Sequence, residues 1–381
     1  MILLKKDYLL LLFIILFSII MYQINLVVPG GDSIYYYYYS DEVSSYFDKS
    51  RYLGSYSGDV SRETMSLINN SVSSASGDPF SQYSLFSETY SYILISGIIN
   101  YLIGSHYGII LFQTLLTFMA YLSIKRTLKF FEVKKFIINH LYLFVSPLLY
   151  LAIVPNKEAI TVFLITLLYE FFIKKRVKLF ILFVFLLFLY RWNFIPFLLF
   201  ILFNQYIIFR LLSVKAKKLL KIIYLLSVTL IIFKLSPMLL EIAGTGYDSF
   251  SMKNLTSTFV FPILKIKIYD TYTLNNVFFL IWNNVYSVLW YLFLPGLFLS
   301  FVSKDKKVKS LGMSILLLLF LLGMISAGMQ SDRLKISFIV FFLIIGSKVF
   351  YEFKKTYLII FMILFSVNIF LMLINFDKYF V

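Results

Sequence analysis

An all-α, polytopic transmembrane helix bundle of about eleven spans is predicted by three features of the sequence. Hydrophobic residues make up 60% of the 381 residues and charged residues only 14%, whereas soluble domains carry roughly 25% charged residues. The apolar residues come in runs of about twenty, the length that crosses ~30 Å of hydrocarbon as a helix. Lys and Arg fall in short clusters between those runs, where the positive-inside rule places them. Spanning strands would show short alternating segments instead, and the sequence has no such pattern.

The formal net charge of +16 does not call for a nucleic-acid partner, because loop cations of a membrane protein account for it. The absence of cysteine excludes disulfides and thiolate metal sites.

Residues 1–381 read as a single integral membrane domain. The first span is expected at 8–28. Lys5 and Lys6 precede it, which puts the N-terminus in the cytoplasm, and no convincing small-residue cleavage site follows it. Residues 29–105 form an extended outer loop rich in acids, among them Asp32, Asp41, Glu42, Asp48 and Asp59. Within it, 90–104 is apolar but only about fifteen residues long, short for a span. With Tyr90, Tyr92, Tyr101 and Tyr107 it suits a helix lying in the membrane interface. That choice leaves Lys125, Arg126, Lys129, Lys134 and Lys135 on the cytoplasmic side.

Further spans are expected at 106–124, 136–154, 159–173, 179–190, 194–212 and 222–240. A second outer loop covers 241–275. Spans at 276–302, 311–329, 334–350 and 356–376 complete the chain. Alternation places the basic turns at 303–310 and 351–355 in the cytoplasm and the C-terminus outside.

Four short polar segments on the outer side are candidates for chemistry. Asp32 sits just past the first span, followed by Asp41-Glu42. A carboxylate at an interface can act as a general base, or hold a divalent cation; otherwise loop acids are simply solvated. Pro155-Asn156-Lys157-Glu158 is a tight connection between two spans. Its charges are either a snorkelling ion pair or a phosphate-binding Lys157 beside a catalytic Glu158. Arg191, in Tyr190-Arg191-Trp192-Asn193, follows a wholly apolar helix. A guanidinium suits phosphate by paired hydrogen bonds, and equally suits an aromatic belt at the interface. Ser331-Asp332-Arg333-Leu334-Lys335 puts cations outside against the rule, either as a structural ion pair or as an anion site. Lys157, Arg191, Arg333 and Lys335 are thus expected to converge around an anionic ligand entering from the outer leaflet. The sequence has no GxxxxGK[ST] loop, no HExxH and no GxSxG elbow.

A first span, a long acidic outer loop, an interfacial helix and then a bundle of spans resembles the membrane glycosyltransferases of the GT-C type. The acidic residues after the first span, the Pro155…Lys157-Glu158 turn and the late Arg333 ahead of an apolar span carry that resemblance. Length and the Phe-, Tyr- and Lys-rich composition resemble bacterial O-antigen or capsule repeat-unit polymerases of the Wzy kind. The longest outer loop comes first here and not late, which favours the GT-C layout.

The resemblance implies a bacterial inner-membrane enzyme with a periplasmic active site. It would use donor and acceptor glycans linked to a polyprenyl lipid such as undecaprenyl pyrophosphate. Membrane lipids, a chain-length regulator and other glycan-assembly proteins would be its partners. Asp32, Asp41, Glu42 and Glu158 would serve catalysis, and Lys157, Arg191, Arg333 and Lys335 would bind the donor phosphate. No cofactor beyond a divalent cation is implied, and no dedicated metal-ligand set is expected. The alternative is a transporter that flips a lipid-linked oligosaccharide, whose charges would line a path inside the spans.

Overall fold

The computed structural model describes residues 5–27, 88–104, 107–133, 157–191, 194–213, 222–231, 294–325 and 336–374, and these are all-helical. The helices are α1 (Lys5–Val27), α2 (Glu88–Ile103), α3 (Tyr107–Phe130), α4 (Glu158–Ile173), α5 (Val177–Arg191) and α6 (Ile195–Ser213). They continue with α7 (Ile222–Ile231), then α8 (Leu294–Ser300), α9 (Lys306–Ile325), α10 (Ile339–Glu352) and α11 (Lys354–Ile374). Helix therefore occupies most of the described parts of the segments expected to be helical, with turns at 301–302 and at Phe338. Two stretches, Tyr107–Phe130 and Ile195–Leu212, are long and apolar enough to cross a membrane. The loop acids Asp32, Asp41 and Glu42, the second outer loop 241–275, the stretch 136–154, and Arg333 and Lys335 lie outside the described residues.

Two compact units divide the chain. The first contains α1, α2, the first part of α3, α4 and α5; the second begins within α3 at Ser123 and takes in α6 to α11.

In the first unit α2 buries Tyr92, Ser96 and Asn100, which recur every four residues and so share one face. The Gln113 amide donates to the Tyr92 hydroxyl at 2.7 Å. The Asn100 carbonyl oxygen accepts the Ile109 N–H at 2.9 Å, which satisfies one of the donors that the start of α3 leaves without an intrahelical partner. Gly108 makes room for this contact, since a Cβ there would stand 3.0 Å from both the Asn100 side-chain oxygen and the Ile99 carbonyl. Asn100→Ala is therefore expected to cost about 1–2 kcal/mol, the typical value of a lost helix cap or an orphaned buried N–H. Thermal unfolding of the purified chain in detergent measures it.

Helix ends show where sequence signals fail. α3 continues through the basic residues to Phe130, past its expected end at 124, because Lys, Arg and Leu are good helix formers even where a span ends. It closes with Glu132 N–H bonded to the Lys129 carbonyl at 3.0 Å and Val133 N–H to Leu128 at 3.2 Å. α4 closes the same way, with Lys175 N–H to Phe172 at 3.1 Å and Arg176 N–H to Phe171 at 2.9 Å. In both, the residue usually filled by glycine is left-handed and charged: Glu132 at φ 59° and Lys175 at φ 54°.

In the second unit α6 packs along α9, where Phe197 and Phe200 of α6, Val228 of α7 and Phe320 surround Leu321. Phe338 packs at a tilt against Phe194, ring centroids 5.8 Å apart, and stacks on Phe341 at 6.3 Å. Asp305 caps α9, its side chain accepting the Lys307 N–H at 2.8 Å.

One pattern recurs in both units. Polar residues of the helices are turned inward: Gln113, Thr114 and Thr117 of α3, Asn204 and Gln205 of α6, and Asn368 of α11 are buried. Large apolar residues of the same helices are exposed, including Met119 at 47%, Phe203 at 64% and Phe370 at 61%.

Candidate functional site

The candidate site lies at the start of α4 and the end of α5. These helices form an antiparallel hairpin, joined by the basic turn Lys174-Lys175-Arg176. Near the turn the helices are held by aromatic contacts, Phe171 with Phe183 at 5.3 Å and Phe172 with Phe180 at 6.3 Å. Lys174 pairs there with Glu170 at 2.6 Å. α4 is buried from Glu158 to Tyr169 except Phe163, and again at Glu170, whereas α5 buries only Leu187, Tyr190 and Arg191. Burial on α5 is thus concentrated at its far end.

At that end the polar groups meet. Arg191 is 7% exposed and Glu158 5% exposed. An Arg191 terminal nitrogen stands 3.5 Å from Glu158 Oε1, and the other donates to Thr161 Oγ1 at 3.2 Å. Tyr190 Oη donates to the Lys157 carbonyl at 3.1 Å, and the Thr161 hydroxyl reaches the same carbonyl at 3.3 Å. Lys157, at the start of α4, is half-buried.

Three residues singled out in the sequence, Lys157, Glu158 and Arg191, are therefore brought together. The Glu158 carboxylate faces the Arg191 guanidinium across the hairpin. Thr161 and Tyr190 complete the cluster. Thr161 follows Glu158 by three residues and Lys157 by four, the spacing that shares a helix face, and this is the signal by which it could have been found. Asp32, Asp41, Glu42, Arg333 and Lys335 lie outside the described residues.

The arrangement is a planar guanidinium clamped between a carboxylate and a hydroxyl, with an ammonium group on the adjoining residue. An arginine so held presents a fixed fork suited to phosphate oxygens. A carboxylate within a hydrogen-bonded cluster is a group that can accept a proton from a hydroxyl. Among the described residues, no three His, Cys, Asp or Glu side chains gather to hold a metal ion.

A second charged cluster, invisible in the sequence, joins the α8–α9 loop to the end of α10. Ser303 Oγ donates to Glu352 Oε2 at 2.7 Å. Lys348 Nζ stands 3.9 Å from Asp305 and 3.8 Å from Glu352.

No family model matches the chain, and no curated protein or solved structure matches it.

Proposed function

We propose that the chain is a polytopic membrane glycosyltransferase of about eleven spans that acts on the outer face of a bacterial inner membrane. In this reading it polymerises O-antigen or capsule repeat units carried on a polyprenyl pyrophosphate. Placement in a bilayer is supported by the large apolar residues that α1, α5 and α11 expose, among them Phe13, Phe188 and Phe370. The chemistry rests on one observation: Glu158 and Arg191 form a buried pair, with Lys157 beside it, at the end of a hairpin whose other end is the basic turn 174–176. By the positive-inside rule that turn faces the cytoplasm and the cluster faces out.

In the proposed reaction the acceptor hydroxyl oxygen attacks the anomeric carbon of the donor sugar. The bond from that carbon to the pyrophosphate oxygen breaks, and the lipid pyrophosphate leaves with the bonding pair. The hydroxyl proton passes to a carboxylate, for which Asp32, Asp41, Glu42 and Glu158 are the candidates. Lys157, Arg191, Arg333 and Lys335 offset the charge that grows on the leaving group.

The test is synthesis of polymer from purified undecaprenyl-pyrophosphate-linked repeat units by the chain reconstituted in liposomes. The expected product is a ladder of lengthened glycan. Arg191→Lys keeps the charge but loses the planar fork, and is expected to lower the rate by about 10²-fold or more, the usual scale for one lost charge-stabilising donor. No lengthening by the wild-type chain, with lipid-linked glycan instead moved across the bilayer, would replace the polymerase with the flippase. Undiminished polymerisation by Arg191→Lys would remove Arg191 from the phosphate site.

A further inference from the structure

We propose that one end of the second unit is a binding site for the headgroup of an anionic phospholipid; the inference rests on reading the chain as membrane-spanning. Three basic segments, distant in sequence, are tied together there. Lys307 Nζ lies 4.1 Å from the ring centroid of Phe130, which joins the start of α9 to the end of α3. The Ser303–Glu352 hydrogen bond and the contacts of Lys348 with Asp305 and Glu352 join the α8–α9 loop to the end of α10. α11 begins two residues after Glu352, with Lys354 and Lys355.

Two of the three acids at this end, Asp305 and Glu352, are turned inward on the network, and the third, Glu132 just past α3, is exposed. Asp305 faces Lys348 and the Lys307 N–H, and Glu352 faces Lys348 and the Ser303 hydroxyl. Lys129, Lys304, Lys306, Lys354 and Lys355 are exposed around them. The same network that holds the carboxylates gathers the lysines of all three segments into one cationic end.

Charge alone would suit any polyanion. The surface next to it selects an amphiphile. Immediately beyond Lys355, α11 exposes Leu358 at 45%, Ile359 at 59% and Met362 at 58%. A phospholipid places its phosphate among the lysines and its acyl chains along this apolar face, so one molecule matches both surfaces. A soluble polyanion would match only the first. The three segments are also those that alternation of the spans assigns to the cytoplasm, the leaflet where anionic lipid attracts lysine-rich surfaces.

Native mass spectrometry of the full chain, titrated with phosphatidylglycerol or phosphatidylcholine, tests this. Phosphatidylglycerol is expected to bind the wild type with clear preference. Replacing Lys304, Lys306, Lys354 and Lys355 together by Gln is expected to weaken that binding at least roughly tenfold, since each surface lysine near an anionic headgroup contributes about fivefold. Arg at the same four positions is expected to retain it. Gln at Lys175 and Arg176, in the basic turn of the first unit, and at Lys178, at the start of α5, is expected to leave it unchanged. Equal weakening by both Gln sets, or none by the first, overturns the site. Extraction from membranes at alkaline pH separates the two failures. A chain that stays embedded but shows no preference overturns the site alone. A chain released as soluble protein overturns the membrane reading with it.

Discussion

Glu158→Leu is expected to destabilise the chain by about 3–5 kcal/mol, the cost of leaving a buried charge without its partner. The stranded group is the Arg191 guanidinium, 7% exposed and 3.5 Å from the Glu158 carboxylate in the intact chain. The substitution removes its counter-charge without creating a large void, so electrostatics and not packing sets the size of the effect. Arg191→Met, which strands Glu158, is expected to cost a similar amount. The double variant is the informative one. With both charges gone, neither member of the pair is left facing the other's empty place, and replacing a buried pair by apolar residues of similar size is often neutral or stabilising. Glu158→Leu with Arg191→Met is therefore expected to recover most of the lost stability, measured by intrinsic fluorescence during thermal unfolding in detergent. Polymer synthesis is expected to stay absent in that double variant. A pair kept for architecture alone would return activity together with stability, and that result would remove both residues from the chemistry.

How much of this was legible in the sequence depends on the distance over which each signal acts. The helices from α3 to α6 follow from runs of apolar residues, a local signal, and they fall where those runs lie. The shared end of Glu158 and Arg191 was also within reach, because two helices joined by the short turn 174–176 must run antiparallel. Their pairing was not, because an arginine at an interface has several equivalent partners. The ends of α3 and α4 were hidden for a different reason. Glu132 and Lys175 adopt the left-handed conformation that glycine usually supplies, so the residue type that would announce a stop is missing. The network of Ser303, Asp305, Lys348 and Glu352 had no local signal beyond the four-residue spacing of the last two. It depends on where α8 crosses α10, and that depends on glycines.

Gly296→Ala tests this crossing and is expected to be the most damaging of the small substitutions, costing about 3 kcal/mol, the upper end of ordinary overpacking. A Cβ at Gly296 would stand 2.7 Å from the Cα of Gly346 and 3.1 Å from its nitrogen. Both obstacles are backbone, so no side-chain rotation relieves them, and α8 must move off α10. Gly312→Ala offers the contrast. Its Cβ would fall on the Ser300 hydroxyl and lie 2.7 Å from the Ser300 Cβ. There the obstacle is a side chain, whose hydroxyl is committed to the Leu297 carbonyl at 2.6 Å. Gly312→Ala alone is expected to destabilise, and Ser300→Gly added to it is expected to restore much of the loss. No trimming partner exists for Gly296→Ala. Helices in a bilayer gain little from hydrophobic association and depend on such close backbone contact. Displacing α8 would also drag the loop carrying Ser303 and Asp305 away from Lys348 and Glu352. Gly296→Ala should therefore lower the unfolding temperature and weaken phosphatidylglycerol binding together, although it alters no charge. An unchanged unfolding temperature would show that α8 and α10 do not cross at these glycines.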